Sequence, residues 1–192
     1  MKLSDPVMWL QLGNISLILC CVFYLIWWSI AFHPTKTYSS PPKFILLCIT
    51  LFFGALGLFL LVRGIFETPR ERGSISNWVI FGICVVLYFV LLLLTYFLLH
   101  RQVTTELFLI VAWTMLEVCV SNSLYRASVL SGPVAIIHIV VIVIAATIGM
   151  LCYLAYYNLE DMKAFYDGMV PLILCGVVMI FQTIWTGCAY AS

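Results

Sequence analysis

The sequence predicts an all-α membrane protein: six transmembrane helices in one bundle, joined by short loops, with both termini on the same side. Three observations predict it. Hydrophobic residues fill 65% of the 192 positions and charged residues only 9%, at a mean hydropathy of +1.16. A soluble domain carries about 25% charged residues, and a fold of this size cannot hide so much apolar side chain from water. Six separate segments each supply the roughly 20 apolar residues that a helix needs to cross ~30 Å of hydrocarbon. Finally, the period-2 alternation of a membrane β-barrel is absent.

The first span is expected at about 12–33 and ends in "HPTKTYSSPPK" (33–43), whose three prolines cannot continue a helix. No basic stretch and small-residue cleavage site precede it between Met1 and Gly13, so it is expected to stay as a helix. The second span, 44–65, leads into the charged loop "ETPRERGSISN" (67–77). There Ser76 and Asn77 are cap candidates for the third span, 77–99. "HRQV" (100–103) is a tight turn, after which Thr104 and Thr105 are cap candidates and Glu106 suits the helix dipole. The fourth span covers 104–125. "SVLSGP" (128–133) then places Pro133 in the first turn of the fifth span, 133–158. "NLEDMKAFYDG" (158–168) reads as the loop before the sixth span, 168–190. The whole chain, 1–192, reads as one polytopic domain.

Small residues mark places for close helix contact: Gly54 and Gly57, Ala145 and Gly149, Gly187 and Ala191. Trp27, Trp28, Trp78, Tyr24, Tyr153, Tyr156 and Tyr157 fall near span ends, as an interfacial aromatic belt would. Basic residues barely orient the chain. Lys2, Arg63, Arg70, Arg72 and Arg126 lie on the side of the termini, against Lys36, Lys43, Arg101 and Lys163 on the other. Five against four leans slightly toward cytoplasmic termini.

Several chemistries are excluded. A net charge of +1 leaves no basic footprint for nucleic acid. All four lysines lie outside the spans, so none can form a retinal Schiff base. HExxH and GxSxG motifs are absent. The eight cysteines lie inside apolar runs without a CxxC pair, as small apolar thiols do. His33 and His100 end two spans on one side and read as interfacial residues; no haem or other cofactor is expected. The Asn14-Ile15-Ser16 sequon borders a span and reads as chance.

The fourth span carries the unusual feature. In "TTELFLIVAWTMLEVC" (104–119), Glu117 lies well inside hydrocarbon, where a carboxylate is costly. At 100° per residue Glu106 and Glu117 project from one face, and Thr114 and Ser121 extend that stripe. Leu109, Val111, Leu116 and Val118 make an opposite face suited to lipid or apolar packing. Glu117 and His138 fall at ~10 Å and ~8 Å from the terminal-side surface, on helices joined by a short loop, so they can meet if both faces turn inward. Arg126 and Arg63 are on that same side and are expected to reach toward the carboxylate. Glu117 is therefore expected to face the bundle interior, paired or protonated. Gln182, Thr183 and Thr186 form a second polar cluster in the sixth span.

The stretch "VAIIHIVVIVIAATIGMLCYLA" (134–155) is locally similar to the last helix of the acetate/succinate transporter family. That family's amino-terminal signature is missing and a further helix follows, so no residue roles carry over. The functional expectation is a small-solute or proton-coupled channel or transporter, with Glu117 and His138 as its pH-sensitive pair. The alternatives are a membrane-embedded enzyme acting on a lipid-type substrate and a non-catalytic subunit of a larger membrane complex. The expected surroundings are the lipid bilayer, with a small-molecule or ion substrate; a homo-oligomer is compatible with the chain.

Overall fold

A computed structural model of the chain describes residues 5–35, 40–69, 72–98 and 105–191. The helices are α1 (Pro6–Ala31), α2 (Ser40–Glu67), α3 (Asn77–Leu93), α4 (Thr105–Arg126), α5 (Gly132–Tyr156), α6 (Asp161–Asp167) and α7 (Val170–Ala191). Among the described residues, six helical segments are long and apolar enough to span a bilayer, with α6 and α7 forming the last of them. The chain is an integral, multi-pass, six-helix membrane bundle. Lys2, Lys36, Arg70, His100, Arg101 and Thr104 lie outside the described residues.

Four boundaries differ from expectation. α2 begins at Ser40, so Pro41 and Pro42, expected in the loop, fall in its first turn. α1 begins at Pro6, one and a half turns early, because the Asp5 side chain accepts from the Val7 N–H at 3.0 Å and Pro6 fits the first helical turn. α3 passes into a π-helical turn at Leu94–Leu98. Residues 161–167, expected as loop, form the short helix α6. Ser76 does precede α3, but its side chain makes no cap bond, and Asn77 points elsewhere, as described below.

α1 and α2 form the tightest pair. A Cβ on Gly57 would sit 3.1 Å from the Gly13 carbonyl oxygen and 2.7 Å from a Leu17 methyl, so only glycine permits this approach. Gly54 belongs to the same seam, beside the Cys20 sulfur. At the far end of the α1–α7 contact, Gly168 leaves room for the Trp28 indole, whose Nε1 donates to the Phe165 carbonyl at 3.2 Å.

α4 is the central element, packed against α2, α3, α5 and α7. Residues Cys119 through Leu124 are all buried. The expected division of α4 into a polar face and a lipid face therefore fails over this half. Val111 is buried in the main core, whereas Leu109 is exposed to lipid. Residues 72–76, before α3, fold over the end of α4: Arg72 donates to the Arg126 carbonyl at 3.3 Å and to the Leu130 carbonyl at 3.1 Å.

Candidate functional site

Burial of α4 on several sides carries its polar residues inward. Glu117 is 0% exposed, and neither carboxyl oxygen has a hydrogen-bond partner. One turn on, Ser121 is equally buried, and its hydroxyl accepts a long 3.4 Å hydrogen bond from Gln182 Nε2 of α7. The Gln182 Oε1 is buried without a partner.

His138 of α5 completes the group. It is 2% exposed, both ring nitrogens lack partners, and the ring lies edge-on to Phe181 at 5.4 Å between centroids. His138, Val141, Val178, Phe181 and Gln182 line one crevice too narrow for a water molecule. Ile110 lies against Gly149, and Tyr125 against Gly132. This antiparallel register puts His138 level with 119–121 of α4, hence with Ser121. Glu117 is about one turn deeper.

Glu117 faces inward, as the pattern predicts, and His138 does too, but neither ring nitrogen of His138 nor either carboxyl oxygen of Glu117 has a hydrogen-bond partner, so no hydrogen bond joins them. It also merges two polar groups that the sequence kept apart. Gln182 stands between Ser121 and His138, bonded to the first and sharing a crevice with the second. The other threonines of the two stripes are satisfied within their own helices. Thr114 donates to the Ile110 carbonyl, Thr183 to Met179 and Thr186 to Gln182, each at 2.7 Å. Such back-bonding consumes a hydroxyl's donor and leaves little for a ligand.

The expected arginine partners are elsewhere. Arg63 pairs with Glu67 at 2.8 Å and lies over the Trp9 ring at 4.3 Å, with its side chain 43% exposed. An i,i+4 partner and an aromatic face outcompete a buried acid on a different helix. Arg126 is buried at the end of α4, ~13 Å along the helix from Glu117, and makes no hydrogen bond to it. Glu106 sits in the first turn of α4, ~16 Å along the helix from Glu117. The stripe from Glu106 to Glu117 is interrupted by an apolar cluster of Ile142, Ala145 and Val178 with Trp113 and Leu174.

Sequence reasoning missed a latch at the terminal-side end. Asn122 Nδ2 donates to Asn77 Oδ1 at 2.6 Å and to the Ile75 carbonyl at 2.8 Å, while Asn77 Nδ2 donates to Ser123 Oγ at 3.1 Å. The polar run Ser121-Asn122-Ser123, read at 100° per residue, signals that α4 is wrapped on several sides. Asn14 was passed over too: it is 2% exposed inside α1, which rules out glycosylation there, and its Oδ1 has no partner.

A neutral polar group buried unpaired costs about 1–3 kcal/mol, and an ionised one more. Glu117, His138 and Gln182 together hold five unpartnered polar atoms in the interior of a lipid-embedded bundle. Structural polar contacts would be expected to pair off, and unspent capacity of this kind makes these residues the candidate site. Compared with protein-family models, with curated proteins and with solved structures, the chain matches none.

Proposed function

We propose that the chain is a small-solute or proton-coupled membrane channel or transporter whose intramembrane site is formed by Glu117, Ser121, Gln182 and His138. The observation that carries this reading is the convergence of buried side chains from α4, α5 and α7 whose hydrogen-bonding capacity is unspent. The described geometry corresponds to an occluded state. Toward Glu106 the site is closed by Trp113, Ile142, Leu174 and Val178. On the side of the termini, the Asn77–Asn122–Ser123 latch ties α3 to the end of α4. Transport would require at least one of these to open, as lids and gates do on the microsecond to millisecond scale.

The test is reconstitution in sealed liposomes with a panel of small solutes and protons. Glu117→Gln and Gln182→Leu each remove one arm of the site with little change in volume. Flux in the parent that both substitutions suppress supports the reading. Flux that neither alters would place the pathway elsewhere. Absence of flux across the panel would favour a lipid-directed enzyme or a non-catalytic subunit instead.

A further inference from the structure

We infer that the occupant of this site is a positively charged hydrogen-bond donor, a proton or an ammonium-class cation, and not an anion. The inference rests on the transport reading above and names its substrate class.

The unpartnered atoms are mostly acceptors. They are Glu117 Oε1 and Oε2, Gln182 Oε1 and one nitrogen of a neutral His138 ring. Asn14 Oδ1 adds another from α1. Gln11 lies beside Gly187 and Cys21 beside Gly176, so the antiparallel register brings Asn14 to the level of residues 183–184, within a turn of Gln182. The donors facing the site are neutral: the other His138 nitrogen, the Ser121 hydroxyl and, one turn toward Glu106, Trp113 Nε1. Gln182 Nε2 is already engaged with Ser121.

Among the described residues, no cation hydrogen-bonds the Glu117 carboxyl. Arg63 is held by Glu67, Arg72 by the Leu130 carbonyl and the Tyr125 ring, and Lys163 by Glu160. Arg126 makes no bond to the acid. An anion entering here would bring an unanswered charge among several acceptor oxygens in a water-poor interior, where such a charge is costly. A donor cation would satisfy two or three of these acceptors at once.

A bare metal ion fits less well, because hard cations need about six oxygens in one shell, whereas these acceptors occupy separate helical turns.

Selectivity in proteoliposomes decides the matter, with protein-free vesicles as baseline. Protons are followed by a lumenal pH dye; methylammonium, acetate and urea are followed as labelled solutes. Protons or methylammonium should cross roughly tenfold or more faster than acetate or urea. Glu117→Gln should remove that flux, while Glu117→Asp, which keeps the acid, should retain part of it. Acetate or urea flux equal to or above that of the cations overturns the inference and leaves the transport reading standing. Absence of flux for all four probes overturns both. Glu117→Asp without flux, in protein that elutes as the parent does, would show that carboxyl chemistry alone does not select the occupant.

Discussion

Replacing Glu117 by leucine should make the bundle more stable and useless. Both carboxyl oxygens are buried without partners, so the folded state bears the full cost of a desolvated polar group. That cost is about 1–3 kcal/mol for a neutral group, and a side chain of similar volume recovers most of it. For a chain of 150–250 residues each kcal/mol corresponds to about 2–4 °C, so the unfolding midpoint should rise by roughly 2–12 °C. Cys84 and Cys119 are buried free thiols, which suits thermal unfolding in detergent followed by a thiol-reactive fluorophore. Glu117→Gln, still polar and unpaired, should lie close to the parent. A fall of several degrees in Glu117→Leu would refute the reasoning, because it would mean that the carboxyl holds helices together. Stability sacrificed at one position is the usual mark of a functional group.

Other consequences are independent of transport. Gly57→Val should destabilise by about 1–3 kcal/mol, since its Cβ meets the Gly13 carbonyl at 3.1 Å; the same thermal assay reads it. Asn77→Ala and Asn122→Ala should each cost about 1 kcal/mol and should not add, because both dismantle one latch; a double-mutant cycle measures the coupling. Arg63→Ala should change the midpoint by the equivalent of about 0.5 kcal/mol or less and leave flux intact, as its partner is Glu67 on a 42–43% exposed surface.

Much of this fold was legible in the chain because hydrocarbon admits few solutions. Apolar run length and proline position locate six helices, and the helical period turns Glu117, Ser121 and His138 to the interior. The exceptions have local causes. The Asp5–Pro6 pair is itself a helix start, which a hydropathy window passes over because Gln11 and Asn14 follow. Arg63 has an acid four residues on, a nearer partner than any on another helix. What no pattern within one helix reveals is which helices become neighbours. The pairing of Gln182 with Ser121 and the one-turn offset between Glu117 and His138 both depend on register between elements. Register is set by contacts such as Ile110 on Gly149 and Tyr125 on Gly132. The same holds for the Asn77–Asn122 latch, which joins residues 45 positions apart.

Proton and methylammonium movement into sealed vesicles containing the parent or Glu117→Gln, prepared side by side at equal protein density, puts the central claim at greatest risk. The account predicts a protein-dependent flux of one of these cations that falls to the protein-free baseline when the single carboxyl becomes an amide. A flux of undiminished size in well-folded Glu117→Gln would contradict it.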